Sequence, residues 1–258
     1  MDRFRSVVVE HAEKFHSILN MVEGCQSSDE LILKIRGDLI KKSRPHKPKT
    51  TIKIRVEDTY FYLKTRWEIG IKHSLRDLFR GCRPGCREAK NYLTLQKLGF
   101  NTPTLIAYGC TRYFNSKNNS YQVIKELKGA FTLRQYLENN KNEEVIKQVG
   151  NLIWLLHRKN FVYGDFNCDN ILVSKKGNTS ELYLIDPIGL KRSNNNGKKF
   201  SDLVKFIFKN GIIWLDEENI DRFLRNYYNF FSKSDSRILN YKTFRTIIDR
   251  KIHEKIKL

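Results

Sequence analysis

Apolar and polar residues change their spacing several times along the chain, and each change marks an expected element. Val7, Val8, Phe15, Ile18, Leu19 and Val22 recur at roughly helical intervals with charges between them, which predicts helical structure over residues 1–30. From 31 to 65 the period shortens. Thr50-Thr51-Ile52-Lys53-Ile54-Arg55-Val56 alternates, Glu57-Asp58 can turn, and Thr59-Tyr60-Phe61-Tyr62-Leu63-Lys64-Thr65 reads as the next strand. The basic, proline-broken stretch from Lys41 to Lys49 reads as a loop. Arg87 to Leu98 carries Ala89, Tyr92, Leu93 and Leu95 on one side and is stopped by Gly99, so a helix is expected. Thr102–Tyr108 and Tyr121–Leu127 are strand candidates, separated by a turn-like Asn115–Ser120. A long helix follows from Glu143 to Lys159, with Val145, Ile146, Val149, Leu152, Ile153 and Leu156 on its apolar side. Short β-prone pieces come next at Ile171–Val173 and Leu182–Ile185. From about Phe200 the chain reads as helices rich in aromatics, whose helical spacing predicts that they face inward. With no repeat and no long linker, this order predicts an α+β chain of two lobes, a β-rich 1–128 with one inserted helix and a mostly helical 129–258.

Composition narrows the class. At 258 residues, with 40% hydrophobic and 12% aromatic content, the chain can bury a real core, which excludes wholesale disorder. No apolar run reaches the roughly 18 residues of a spanning helix, and Met1-Asp2-Arg3-Phe4-Arg5 is followed by no apolar segment of the secretory type. Cys25, Cys82, Cys86, Cys110 and Cys168 are odd in number and mostly isolated, which fits a reducing cytosol better than a disulfide framework. Cys82-x3-Cys86 lacks a second ligand pair at zinc spacing. The net charge of +20, from 48 Lys+Arg against 28 Asp+Glu, favours an anionic partner: nucleic acid, an anionic lipid surface or a phosphorylated substrate. Charge alone does not choose among them.

The chemistry is concentrated in Val162-Tyr163-Gly164-Asp165-Phe166-Asn167-Cys168-Asp169-Asn170-Ile171-Leu172-Val173. Asp165 is followed five residues later by Asn170, and Asp186 ends the apolar Leu184-Ile185-Asp186 sixteen residues beyond that. Phosphoryl transfer needs a carboxylate near the acceptor hydroxyl and oxygen ligands for magnesium on the nucleotide phosphates. An amide oxygen at Asn170 and a carboxylate at Asp186 supply the second, and Asp165 supplies the first, at the spacing of a kinase catalytic loop. Asp165 alone would read as a turn or capping residue; its place after a long amphipathic helix and before two apolar strands makes the combined reading the better one. Upstream, Lys64 ends a strand and Glu88 lies 24 residues later near a helix start, the order expected of a phosphate-contacting Lys and the Glu that holds it. Asp202 can support the loop by hydrogen-bonding its backbone, or cap a helix.

Tyr62-Leu63-Lys64, Arg87-Glu88-Ala89-Lys90-Asn91-Tyr92-Leu93 and Leu98-Gly99-Phe100-Asn101-Thr102-Pro103, together with Tyr163 to Asn170, Leu184-Ile185-Asp186 and Gly189-Leu190-Lys191-Arg192, resemble the lipopolysaccharide core heptose and Kdo kinases of the WaaP and RfaY type. The resemblance spans roughly 50 to 205, and its Glu-x-x-x-Tyr-x-x-Leu and Leu-Gly-x-x-Thr-Pro runs are the more specific part. It implies a protein-kinase-like fold and a phosphotransferase that moves the ATP γ-phosphate to a sugar hydroxyl of the lipid A–core at the cytoplasmic face of the inner membrane. By motif position it implies Asp165 as base, Asn170 and Asp186 as Mg2+ ligands, and Lys64 and Glu88 as the pair that anchors the nucleotide phosphates. The chain departs from the protein-kinase pattern in having no Gly-rich loop, Gly164 in place of Arg before the base, and Pro187-Ile188 after Asp186. Lys72, Arg76, Arg80, Arg83 and Arg87 recur beside Ile71, Leu75, Leu78 and Phe79, a cationic stripe suited to a phosphorylated amphiphile or a peripheral contact with an anionic membrane. The rivals are an atypical small-molecule or protein kinase, and an inactive basic scaffold; nucleic acid rests on charge alone and is not expected as the partner.

Overall fold

Two compact units make up the chain, Met1–Lys128 and Gly129–Leu258. The computed structural model describes residues 5–8, 18, 20, 22, 25, 30, 34–35, 38–42, 49–69, 84–110, 117–139, 143–177, 179–214, 217–232 and 240–256.

The first unit is built on strands β1 (Arg5–Val8), β2 (Asp38–Lys42), β3 (Lys49–Val56), β4 (Thr59–Ile69), β5 (Leu105–Cys110) and β6 (Lys117–Lys125), paired in the order β1-β5-β6-β4-β3-β2. Every pairing is antiparallel. Ile52 faces Leu63 and Ile54 faces Phe61 across the β3–β4 hairpin. Strand periodicity sends these side chains to one face, where they pack with Val22, Cys25, Ile35, Ala107 and Val123. Tyr62, Lys64 and Arg66 therefore point to the other face, shared with Gln122 and Ile124. Helix α1 (Pro84–Lys97) lies there, packing Cys86, Ala89 and Tyr92 against Leu105, Tyr108 and Ile124.

Three expectations are corrected here. Val7 and Val8 lie on an edge strand, Val7 opposite Tyr108, because a four-residue strand carries too little pattern to be told from a helical turn. Asn118, Asn119 and Ser120 are strand rather than turn: β4 runs on to Ile69 and supplies hydrogen-bonding partners that override their poor strand preference. Helix α1 starts at Pro84, three residues before Arg87, since proline suits a first turn whose N–H groups are unpaired anyway. Residues 43–48 of the expected basic loop lie outside the described residues.

The second unit holds β7 (Phe131–Thr132), β9 (Ile171–Lys176) and β10 (Thr179–Leu184) in one small sheet, and β8 (Phe161–Val162) paired with β11 (Lys191–Arg192). Its helices are α2 (Leu133–Asn139), α3 (Glu143–Arg158), α4 (Asn196–Trp214), α5 (Glu217–Ser232) and α6 (Tyr241–Ile256). Val145, Val149, Ile153 and Leu156 bury the stripe of α3. Helix α5 packs over Gly150, with the Phe223 carbonyl 3.6 Å from where a Cβ would stand, an ordinary van der Waals contact. Aromatic pairs Phe206–Phe223 and Tyr227–Phe244 join α4, α5 and α6, so the late aromatics face inward. No helix among the described residues is long and apolar enough to cross a membrane.

Candidate active site

Helix α4 fixes the loop between β8 and β9. Asp202, Lys205, Phe206 and Lys209 recur at three- to four-residue spacing, which puts them on one face of the helix. Buried Asp202 accepts hydrogen bonds from the backbone amides of Tyr163 (2.6 Å) and Gly164 (2.9 Å). The Lys205 ammonium donates to the Gly164 carbonyl (3.1 Å). Phe206 meets Phe166 edge to face. The Lys209 ammonium pairs directly with Asp165 Oδ1. Asp202 thus supports the loop backbone and, lying beyond the first turn of α4, does not cap it. Lys205 and Lys209 were not singled out from sequence; their spacing from Asp202 was the available signal.

Within the loop, the Asp165 carbonyl accepts from the side-chain amides of Asn170 (2.9 Å) and Asn167 (3.2 Å). This bond uses the NH₂ of Asn170 and turns its Oδ1 the other way. Asn167 Oδ1 takes the Asp169 amide (2.9 Å), and Arg134 of α2 grips the Asp169 carboxylate with two hydrogen bonds (2.7 and 2.9 Å). The Ile185 amide donates to the Asn170 carbonyl (3.0 Å), and the Tyr163 hydroxyl to the Ile185 carbonyl, so Asp186 follows directly on a residue tied to both segments. Asp186 has φ 56° and ψ 48°, a left-handed conformation uncommon outside glycine. Such strain persists where surrounding contacts impose it, and it clusters at functional positions.

The glycine before Asp165 has a steric cause. Gly164 has φ 80°, and a Cβ there would stand 2.8 Å from the Gly189 carbonyl oxygen. A Cβ on Gly189 would stand 2.6 Å from the Tyr163 oxygen. Backbone meets backbone, so no side chain fits. Gly164→Ala should lose about 1–2 kcal/mol from φ alone, plus the collision, and Tm should fall by about 2–4 °C per kcal/mol. Gly177→Ala is the control, with φ 62° and no atom within 4 Å. Equal melting losses for the two variants would contradict the close approach.

Behind the loop, His157 is buried with its Nδ1 2.8 Å from the Tyr227 hydroxyl and its Nε2 3.5 Å from Asp202 Oδ2. Burial pushes the His157 pKa below its ordinary value; Asp202 opposes this and Lys199 adds to it. The folded state therefore holds this ring neutral, while the unfolded chain takes up a proton as pH falls through about 6.5. This contribution to stability is present above that pH and shrinks as pH falls toward the folded pKa. Melting curves at pH 7.5 and pH 5.5 should show a smaller acid loss for His157→Gln than for wild type; parallel losses would contradict a neutral His157.

In the first unit, Lys64 sits mid-strand on β4, opposite Thr51 and Gln122, rather than at the strand end. Its ammonium is 3.5 Å from Glu88 Oε1. Glu88 is 1% exposed and also meets Arg66 (3.8 Å) and the Gln122 amide. A buried carboxylate with three donors is well held, and it holds Lys64 in turn. The structure thus brings Lys64 and Glu88 together in one unit, and Asp165, Asn170 and Asp186 together in the other. Within the second unit, the hard oxygen donors of Asn170 and Asp186 suit magnesium; within the first, the anchored Lys64 ammonium suits phosphate oxygens. Lys72, Arg76, Arg80 and Arg83 lie outside the described residues.

Comparison with known proteins places residues 46–227 on the model of the lipopolysaccharide kinase (Kdo/WaaP) family. A solved structure of WaaP in complex with acyl carrier protein is similar over 97% of this chain and 98% of that one, at 16% identity and a TM-score of 0.64, which establishes a common fold. The kinase domain of PknI from Mycobacterium tuberculosis is a more distant likeness, at 9% identity and a TM-score of 0.42 over 69% and 70% of the two chains. Among curated proteins, the EKC/KEOPS complex subunit bud32 of Dictyostelium discoideum is 25% identical over 142 residues, 52% of this chain and 52% of that protein. The chain thus spans about half the length of the curated relative it matches.

Proposed function

We propose, for a chain that belongs to the lipopolysaccharide kinase (Kdo/WaaP) family, transfer of the ATP γ-phosphate to a hydroxyl of a lipopolysaccharide inner-core sugar, heptose or Kdo. The observation that carries this reading is the loop in which the Asn170 amide hydrogen-bonds the Asp165 carbonyl at 2.9 Å while Ile185, next to Asp186, hydrogen-bonds the Asn170 carbonyl at 3.0 Å. The loop and the segment after β10 so joined offer a carboxylate to an acceptor and one oxygen ligand each to a metal.

Asp165 orients the acceptor hydroxyl and takes its proton as the new oxygen–phosphorus bond forms and the bond to ADP breaks. Asn170 and Asp186 would hold Mg2+, which neutralises charge on the nucleotide phosphates when bound. Lys64, steadied by Glu88, would contact nucleotide phosphates. Mass spectrometry of core oligosaccharide from cells with and without the gene tests the reading: the expected loss is one phosphate, and unchanged core phosphorylation would contradict it.

The acceptor is membrane-anchored, so a peripheral contact with the inner leaflet from the cytoplasm belongs to the same proposal. It rests on the sequence spacing of Lys72, Arg76, Arg80 and Arg83. Reversing two of these charges should weaken co-sedimentation with lipid A–core vesicles, less so at high salt, where exposed charges are screened. Equal sedimentation of variant and wild type would remove the stripe from the account.

A further inference from the structure

Resting on the sugar-kinase reading, we propose that Lys209 reads the acceptor: its ammonium binds an oxyanion, carboxylate or phosphate, that the sugar carries beside the hydroxyl to be phosphorylated. The geometry supplies the first reason. Lys209 meets Asp165 Oδ1 with its side chain 44% exposed and that of Asp165 48% exposed, so a ligand arriving at the carboxylate also arrives at the ammonium. An ammonium has three N–H donors and engages Asp165 with one, which leaves capacity for a ligand oxygen.

Electrostatics supplies the second. A carboxylate repels an anionic acceptor at the place where the acceptor hydroxyl must dock. The segment Gly164-Asp165-Phe166-Asn167-Cys168-Asp169-Asn170 carries no Lys or Arg to offset that repulsion. The cation comes instead from α4, 44 residues along the chain. A neutral acceptor would need no such cation.

A purely structural task for Lys209 is already filled. Asp202, Lys205 and Phe206 hold the loop to α4 through buried or half-buried contacts, and an exposed ion pair adds little to stability. A sugar acid or a sugar phosphate presents the single anionic group that such an ammonium binds.

The test uses the full chain and soluble acceptors in charged and uncharged pairs: a Kdo methyl glycoside as free acid and as methyl ester, and a heptoside with and without a phosphate. Wild type, Lys209→Met, Lys209→Gln and Lys209→Arg are compared for kcat and KM, and for ATP hydrolysis without acceptor. Lys209→Met and Lys209→Gln should raise KM for the anionic acceptor about 10- to 100-fold, the scale of a charge-assisted hydrogen bond. The rise in KM should be much smaller for the uncharged partner of each pair, ATP hydrolysis without acceptor reports any change in Asp165 itself, and Lys209→Arg should restore most of the affinity. Discrimination within the Kdo pair assigns the oxyanion to the carboxylate, and within the heptoside pair to the phosphate. Equal losses on charged and uncharged acceptors, or a fall in kcat with KM unchanged, would overturn the proposal and leave the sugar-kinase reading standing. Absence of wild-type turnover on every saccharide would overturn both.

Discussion

Replacing Asp165 with Asn is expected to lower kcat by about 10²–10⁴-fold, the usual range for a lost general base, with nucleotide affinity largely kept. The substitution preserves size and hydrogen-bonding capacity but removes the group that can take the acceptor proton. Its effect should be chemical rather than structural. The supports of the loop act on backbone: Asp202 holds the Tyr163 and Gly164 amides, Lys205 the Gly164 carbonyl, and Asn167 and Asn170 the Asp165 carbonyl. None of them needs the Asp165 carboxylate. Lys209 loses its ion pair, but both partners are half exposed and that costs little. Collapse of ATP binding with intact turnover per bound ATP would assign Asp165 a different role.

The second large effect concerns Asp186. A bound metal supplies several kcal/mol of transition-state stabilisation, so Asp186→Ala should reduce magnesium-dependent turnover by about 10³-fold or more. Alanine also fits poorly at φ 56°, which could confuse loss of a ligand with loss of fold. Asp186→Asn resolves this, because Asn tolerates the left-handed region and removes only the charge. Both variants should lose turnover, and Asp186→Asn should melt near wild type. A magnesium titration is the readout. Undiminished transfer by a folded Asp186→Ala protein would remove the metal assignment.

Much of the fold could be read from local pattern. The β3–β4 hairpin, the buried stripe of α3 and the inward aromatics of the last helices each follow from spacing that a single segment contains. The pairing of Lys64 with Glu88 follows from strand-to-helix order, whereas sequence left Asp202 open between supporting the loop and capping a helix, and only the packing of α4 against the loop decides it. What escaped depends on distant partners. β1 exists because β5 offers it an edge, and Asn118 to Ser120 are extended because β4 reaches Ile69. Lys209 looks like any surface lysine until α4 is packed against the loop. Gly164 read as a missing arginine; its cause is a carbonyl at Gly189 that no sequence pattern places.

Purified protein mixed with γ-labelled ATP, magnesium and delipidated core oligosaccharide tests the central claim most directly. Wild type should move label to a single inner-core sugar, and Asp165→Asn, equally folded and equally able to bind ATP, should do so at least about 10²-fold more slowly. Label reaching the saccharide at the same rate with both proteins, or never reaching it with wild type, would contradict the account.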